Sequence, residues 1–203
     1  MFICAAASLR REHRRLTELD SFGGDGDHGT TMLRAAEQME AWPENAAAET
    51  LPALLRAAGW RVLGVDGGAS SSLLGTFFLG MGDVEVPGDS MSSTEFAQSL
   101  QAGLRAVCRQ TKAQPGDKTM MDALEPAVAA ASAAAQDGES ISGMLQATAA
   151  AAQAGAESTR HLIARFGRAR SLGERTRGHP DAGATSIALI FAGFLEGVSD
   201  GGS

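Results

Sequence analysis

Apolar residues recur at helical spacing along nearly the whole chain, and this pattern restricts the possible folds more than any other feature. In the segment 93–112, the apolar side chains share one helical face: Phe96, Leu100, Leu104, Val107 and Cys108. Alanine is abundant, tyrosine is absent and β-branched runs are rare, which favours helices over strands. No strand-length alternating segment competes, so the sequence predicts an all-α protein.

The same periodicity predicts about eight helices joined by short loops. Their predicted ranges are Cys4–Leu19, His28–Trp42, Leu51–Leu63, Ser70–Met81, Ser93–Lys112, Thr119–Ala135, Ser140–Phe166 (one long helix or two abutting ones) and Thr185–Val198. No internal repeat or interdomain linker interrupts them, so we expect one domain over residues 1–203. The final segment "SDGGS" is expected to fray.

The charge balance excludes several classes of partner. The formal net charge is −7, so neither nucleic acid nor an anionic membrane is an expected partner. No apolar run reaches the roughly 18 residues of a membrane span, and the basic residues near the start follow the apolar run instead of preceding it, unlike an export signal. Cys4 and Cys108 fit no metal or redox spacing. We therefore expect a cytoplasmic protein.

The segment "ELDSFGGDGDHGTT", residues 18–31, crowds three aspartates among glycines between two predicted helices. Two carboxylates about 5 Å apart repel by about 3 kcal/mol at an effective dielectric of about 20. Asp20, Asp25 and Asp27 therefore either point separately into water or share a cation. A solvated loop in which Asp27 caps the next helix is one interpretation. The glycines favour the other, because a backbone that wraps closely around a ligand needs residues without side chains.

The chemistry of a shared cation fits a nucleotide. Carboxylate oxygens bind hard cations, and Mg²⁺ usually keeps positions open for substrate phosphates. The helix predicted to begin at His28 would aim its free N–H groups, with the hydroxyls of Thr30 and Thr31, at the same place. A cation site beside an anion site is what a magnesium–nucleotide complex requires.

Three later segments also lead from a turn into a helix. The segment "DGGASSSLLGT", residues 66–76, is either a second anion site or a tight turn for close helix packing. In "QPGDKTMMDALEP", residues 114–126, Met120 and Met121 either contact a base or enter the core. The basic stretch "GRARSLGERTRGHPDAGATS", residues 167–186, either faces solvent with its arginines or neutralises phosphate with them.

Three better-known motifs are excluded. The run from Gly24 to Gly29 matches G-x-G-x-x-G, but a polar helical segment precedes it where a dinucleotide fold needs a strand. An EF-hand loop that begins at Asp25 would have Gly29 at its fifth position, where a ligand is required. The run from Gly116 to Thr119 does not meet the P-loop frame.

Together these segments resemble the nucleotide-binding L subunit family of the dihydroxyacetone kinases. The matching blocks are "LDSFGGDGDHGTT", "GGASSSLLGTFF", "PGDKTMMDALEP" and "GRARSLGERTRGHPDAGATS", and they run in order from residue 19 to residue 186. The resemblance implies an antiparallel barrel of eight helices, with the nucleotide in the loops at one end.

The resemblance also implies the site residues. Family members bind two Mg²⁺ through three aspartates, which correspond to Asp20, Asp25 and Asp27. The nucleotide contacts correspond to His28, Gly29, Thr30, Thr31, Ala69, Ser70, Thr111, Met120, Arg168, Asp181, Ala182 and Gly183. At three of these positions the family more often has another residue: Asn at Thr31, Gly at Thr111 and Pro at Ala182.

The implied function is that of the ADP- or ATP-binding, magnesium-dependent subunit of a kinase. It would pass a phosphoryl group to dihydroxyacetone held on a separate K-type subunit, without which it should phosphorylate nothing. No catalytic residue is expected in this chain beyond the metal–phosphate site. A separate chain favours ADP as a fixed cofactor, rephosphorylated by a phosphoenolpyruvate-dependent phosphotransferase-system donor protein.

Two alternatives remain open from the sequence. One is a subunit of an ATP-dependent kinase for dihydroxyacetone or another short ketose such as a tetrulose. The other belongs to a different class and is a non-catalytic nucleotide-sensing module that docks a regulator. The intact aspartate trio argues against that second alternative.

Overall fold

Eight α-helices and two 3₁₀ segments make up the regular structure of the residues described by the computed structural model, which are 1–41, 50–86 and 90–199. The helices are α1 (Phe2–Ser21), α2 (His28–Glu40), α3 (Leu51–Leu63), α4 (Gly68–Met81), α5 (Ser93–Gln110), α6 (Met121–Gln136), α7 (Ile141–Ser158) and α8 (Ala182–Ser199). The 3₁₀ segments are Thr159–His161 and Arg168–Thr176. No strand occurs within those ranges, which confirms the all-α prediction.

The helices form a closed ring. Each helix packs against the next in sequence, and α8 packs against both α7 and α1. The chain direction alternates around the ring: Gly82, just after α4, lies against Pro52 at the start of α3, and Gly155, near the end of α7, lies against Asp122 at the start of α6. The largest fully buried side chains fill the interior, among them Phe77, Phe78, Phe191 and Phe194. This architecture confirms the predicted antiparallel helical barrel.

The alternating directions bring the starts of all the even-numbered helices to one end of the barrel. These starts are His28 in α2, Gly68 in α4, Met121 in α6 and Ala182 in α8. The first N–H groups of a helix have no partner within it and carry partial positive charge. One end of the barrel therefore concentrates backbone donors, and the opposite end holds the paired beginning of α1 and end of α8, where a side chain at Gly197 would overlap Met1.

Most predicted helices agree with the observed bounds to within one turn. Trp42, the predicted end of α2, and residues 200–203 of the tail lie outside the described residues. The predicted helix Ser140–Phe166 is wrong in length, because α7 ends at Ser158.

The end of α7 is fixed by tertiary hydrogen bonds. The Thr159 hydroxyl donates to the Ala156 carbonyl at 2.5 Å and accepts from the Asp181 N–H at 2.7 Å. The Thr159 carbonyl accepts from Lys118 Nζ at 2.5 Å. The backbone then becomes extended at Leu162. These partners are distant in sequence, so helical periodicity alone could not locate this end.

The helix α8 meets the length and composition of a membrane span, contrary to the expectation from the sequence. Its 18 residues have a mean hydropathy of 1.5, and 56% of them are buried inside the structure. Phe191 and Phe194 on this helix are fully buried. Its apolar surface is therefore explained by its place in the core between α1 and α7.

We expect Gly193→Ala to destabilise the barrel at the crossing of α8 and α1. A Cβ at Gly193 would come within 2.5 Å of the Ala5 nitrogen, so the two backbones would have to separate. The free energy of unfolding should fall by about 1–3 kcal/mol, measured by urea denaturation. Gly64→Ala is the matched control, since its Cβ would have no neighbour closer than 3.4 Å. Equal stability of the two variants would contradict the close crossing.

Candidate functional site

A cavity of ≈ 340 Å³ opens at the end of the barrel where the even-numbered helices begin. Its walls come from the loop between α1 and α2, the start of α4, the segment between α5 and α6, and the segment before α8. A volume of this size is in the range that holds a small organic ligand.

Most of the predicted site residues line this cavity. Those that do are Asp20, Asp25, Asp27, His28, Ala69, Ser70, Thr111, Met120, Arg168, Asp181, Ala182 and Gly183. Thr30, which is exposed, and Thr31, which is buried, are not among the residues that line it. Gly29 faces α1, because a Cβ there would come within 2.7 Å of the Thr17 nitrogen.

The three aspartates converge. One carboxylate oxygen from each of Asp20, Asp25 and Asp27 lies within 4.8 Å of the others. Asp27 is at the N-cap position of α2, yet its side chain makes no capping hydrogen bond. The Asp20 carboxylate instead accepts from the His28 N–H at 3.3 Å. Three oxygen donors without nitrogen or sulfur suit a hard cation such as Mg²⁺.

Two glycines permit the backbone conformation of residues 20–27, which carry these three carboxylates and which we call the aspartate loop. Gly26 has a φ of 75°, a left-handed conformation that most residues avoid. A Cβ at Gly24 would come within 2.8 Å of the Asp20 Cγ. Side chains at these positions would strain the backbone or push Asp20 away from the other carboxylates.

His28 connects the starts of α4 and α8 from beneath the cavity. It is 5% exposed, and its Nδ1 and Nε2 lie 3.1 Å from Ser70 Oγ and 2.7 Å from Ser186 Oγ. The Ser186 hydroxyl donates to the Ala182 carbonyl, so Ser186 accepts from Nε2–H and Ser70 donates to Nδ1. Burial lowers the pKa of His28 despite the nearby Asp20 carboxylate. The ring is therefore a neutral spacer that orients Ser70.

The start of α4 is the least occupied of the four helix starts. It has no side-chain cap and no acidic residue in its first turn. At α2 the Asp20 carboxylate accepts from the His28 N–H at 3.3 Å, and at α6 the Thr119 hydroxyl accepts from the Met121 N–H at 3.2 Å. At α8 the Asp181 carboxylate accepts from the Ala184 N–H at 2.7 Å. The donors of α4 are thus available to an anion beside the aspartates.

Lys118 lines the cavity and was not predicted from the sequence as a site residue. It is only 7% exposed and has a φ of 60°. Its Nζ donates to the carbonyls of Thr159 at 2.5 Å and His179 at 2.6 Å. Burial lowers its pKa, while Asp181 and Asp122 oppose that change. Lys118 therefore ties the turn before α6 to the end of α7 and to the segment before α8.

The rim of the cavity carries aromatic side chains that the sequence did not single out. The ring of Phe22 stacks on His179 with 3.6 Å between centroids and 7° between planes. Phe22 and Phe166 are 50% and 37% exposed. With Met120 they give the cavity an apolar part next to its charged part.

We expect Asp181→Asn to stabilise the metal-free, nucleotide-free protein near neutral pH. Burial is the main cause that raises the pKa of Asp181 from 3.8 to about 6, and the nearby carboxylates of Asp122 and Asp20 act in the same direction. The hydrogen bond from the Ala184 N–H and the charge of Lys118 lower this pKa but do not outweigh burial. An acid whose pKa is higher in the folded chain stabilises the fold below its unfolded pKa and loses that contribution as pH rises through the folded value.

The variant should therefore be more stable than the wild type by about 1–3 kcal/mol at about pH 7.5, and equal to it below about pH 3.5. An asparagine oxygen still accepts from the Ala184 N–H, so the cap is kept. Urea unfolding across this pH range, with chelator present, measures the difference. A difference that does not change with pH would contradict the raised pKa.

Comparisons with known proteins agree on one family. A family profile described as "DAK2 domain" matches residues 23–196. The chain is 36% identical over 179 residues to the PEP-dependent dihydroxyacetone kinase, ADP-binding subunit DhaL, of Escherichia coli, covering 88% of this chain and 85% of the relative. It is 37% identical over 193 residues to the ADP-binding subunit DhaL of PEP-dependent dihydroxyacetone kinase 2 of Listeria innocua, covering 94% and 88%.

A solved structure has the same fold. The crystal structure of the dihydroxyacetone kinase from C. freundii in complex with AMP-PNP and Mg²⁺ matches 97% of this chain with a TM-score of 0.74 and 30% identity. The match covers 33% of that chain, so the present chain spans about a third of its length.

Proposed function

The chain belongs to the DAK2 domain family, and from this premise we propose that it is the nucleotide-binding subunit of a dihydroxyacetone kinase. The observation that carries the proposal is the cluster of three carboxylates, within 4.8 Å of one another, beside the uncapped start of α4. A cation site and an anion site share one cavity. Both relatives named above are kinase subunits, which favours phosphoryl transfer over nucleotide sensing alone.

We assign Asp20, Asp25 and Asp27 as the ligands of two Mg²⁺ ions, which when bound would neutralise phosphate charge during transfer. The nucleotide contacts we propose are those predicted from the sequence, with two exceptions. His28 has both ring nitrogens paired with serines, and the Thr31 side chain is buried outside the cavity wall. The start of α4 would donate backbone N–H groups to the phosphates, and the apolar rim would accept the base. Gly29 and Thr30 would contribute the N–H groups at the start of α2.

The remaining residues act by positioning. His28 holds Ser70 from below, and Lys118 holds the segment that leads to Asp181. No proton-transfer residue is assigned to this chain, because its task is to orient a phosphoryl group toward a partner that holds the acceptor. The partner we propose is a K-type subunit carrying dihydroxyacetone, without which the chain should phosphorylate nothing.

The phosphoryl source we propose is a phosphoenolpyruvate-dependent phosphotransferase-system protein, with ADP as a fixed cofactor. The support is that both subunit relatives are named as PEP-dependent. The cytoplasmic location and a single domain over residues 1–203 also remain proposals. The closed ring of helices among the described residues supports the single domain.

The nucleotide content of the purified protein tests this function. The protein is purified without added nucleotide, passed through gel filtration with Mg²⁺, denatured, and the released small molecules are identified. Near-stoichiometric ADP would support the fixed cofactor. An empty protein that binds added MgATP would favour an exchanging ATP-dependent kinase. A protein that is empty and binds neither MgADP nor MgATP would overturn the nucleotide site.

A further inference from the structure

We propose that Arg168 occupies part of the metal site before the nucleotide arrives, and that the cation and Arg168 exchange places at Asp25. The inference rests on the proposed function, because it takes Asp25 to be a metal ligand. It goes beyond that function by assigning Arg168 two successive partners. The first is the Asp25 carboxylate in the empty protein, and the second is a phosphate of the bound nucleotide.

Arg168 lies near the start of a segment whose backbone turns at three glycines and whose C-terminal part is held by a hydrogen bond. We call residues 167–178 the flap. Gly167, Gly173 and Gly178 have φ values of 65°, 53° and 94°, and a Cβ at any of them would meet nothing within 4 Å. Glycine is therefore needed for the backbone turns and not for space. Near the far end, the buried Thr176 hydroxyl accepts from the Ala164 N–H at 3.0 Å.

The N-terminal residues of the flap, Arg168 and Ala169, contact the aspartate loop. The Arg168 guanidinium forms an ion pair with the Asp25 carboxylate. Beside it, Ala169 packs on Gly23, where an added Cβ would come within 2.9 Å of the Ala169 Cβ. These two contacts bring the first residues of the flap over the carboxylates that would hold a cation.

The ion pair and a metal ion make competing demands on Asp25. A guanidinium bonded to the carboxylate offers one positive charge and occupies oxygen lone pairs that a cation would use. The side chains of Arg168 and Asp25 are 66% and 46% exposed, and exposed ion pairs are weak. A divalent cation that gains all three carboxylates can therefore displace Arg168.

The displaced guanidinium stays at the cavity. Arg168 is part of the wall, and its backbone is held nearby by the packing of Ala169 on Gly23. A planar guanidinium is well suited to a phosphate oxygen pair. Removing it should therefore have opposite effects on the two ligands: metal alone should bind more tightly, and the metal–nucleotide complex more weakly.

The test compares Arg168→Gln with the matched variant Arg170→Gln. Both lose one positive charge from the flap, but Arg170 is exposed and is not part of the cavity wall. Mn²⁺ is the probe for the metal alone, because it accepts the same oxygen ligands and its free form is counted by electron paramagnetic resonance. The nucleotide-free full chain is titrated with Mn²⁺, and MgADP binding is measured separately by calorimetry.

We expect Arg168→Gln to bind Mn²⁺ about two- to five-fold more tightly than the wild type and MgADP more weakly, with Arg170→Gln unchanged in both. Equal tightening in both variants would overturn the inference, because it would show a general charge effect. Unchanged or weaker Mn²⁺ binding by Arg168→Gln would also overturn it, while leaving the metal site intact. If wild type and variants all bind neither Mn²⁺ nor MgADP, the proposed function fails, and the inference fails with it.

Discussion

Replacing Asp27 with asparagine is expected to lower phosphoryl transfer by about 10³-fold or more in a complex reconstituted with a K-type subunit, while the chain keeps its fold. Asp27 belongs to the carboxylate cluster, whose oxygens lie within 4.8 Å of one another. An asparagine leaves a similar shape but removes the negative charge that a divalent cation needs. The loss should appear in the transfer rate and in Mn²⁺ affinity together.

The fold should be nearly unaffected, because the Asp27 side chain makes no capping hydrogen bond at the start of α2. The helix start is instead contacted by Asp20. We therefore expect the free energy of unfolding of the metal-free protein to change by less than about 0.5 kcal/mol. This separates Asp27 from Asp20, whose replacement would disturb both metal and helix.

Asp83→Asn provides the control, since Asp83 is exposed, follows α4 and does not line the cavity. It changes the net charge by the same amount. Transfer is measured with the K-type subunit, the acceptor and either phosphoryl source. If Asp27→Asn and Asp83→Asn were equally active, the assignment of the aspartates as metal ligands would be wrong.

Replacing Lys118 with methionine is expected to lower the free energy of unfolding by about 2–4 kcal/mol and to weaken MgADP binding. The methionine keeps most of the length and volume of the lysine but donates no hydrogen bond. The carbonyls of Thr159 and His179 would then lose a donor in a site that is largely closed to water. The melting temperature should fall by about 5–15 °C.

The effect on MgADP follows from what Lys118 holds. His179 leads directly into Asp181, Ala182 and Gly183 at the start of α8, and these residues line the cavity. Without the Lys118 bonds, this segment is free to move away from the neighbouring Met120, whose Cβ would lie 3.4 Å from a Cβ at Gly183. Binding should therefore weaken even at temperatures where the variant is fully folded.

Lys112→Met is the natural control, because Lys112 and Lys118 are the only lysines in the sequence and Lys112 is exposed. Urea denaturation and calorimetric titration with MgADP at a temperature well below the transition give the two readouts. A Lys118→Met protein that is destabilised but binds MgADP normally would restrict Lys118 to a purely structural role. Wild-type stability would contradict the hydrogen bonds themselves.

The fold could be predicted from the sequence wherever local information decides it. The helical stripes of α3 and α5, for example, are continuous and end at clear breaks, and the structure agrees with them to within one turn. The end of α7 was missed because it is decided by Lys118, 41 residues away along the chain. A hydrogen bond over that separation leaves no periodic signal near Ser158.

In the candidate site, too, the residues that are close in sequence could be predicted, and those that only the fold brings together could not. Asp20, Asp25 and Asp27 are close together along the chain, so the sequence itself shows their crowding. The interpretation in which Asp27 caps α2 was wrong, since its side chain makes no such bond. Lys118 and the stack of Phe22 on His179 were missed, because each joins residues that only the closed ring brings together.

The pairing of the first and last helices has a practical consequence for engineering. Met1 meets the end of α8 at Gly197, and the 20 residues of α1 place that point about 30 Å from the aspartate loop. The exposed turn around Gly138, between α6 and α7, lies at the same far end. A circular permutant that joins α8 to α1 and opens the chain at Gly138 would therefore preserve every connection that forms the cavity. Fluorescent proteins fused at those new ends would therefore lie at the end of the barrel opposite the cavity and leave its opening free.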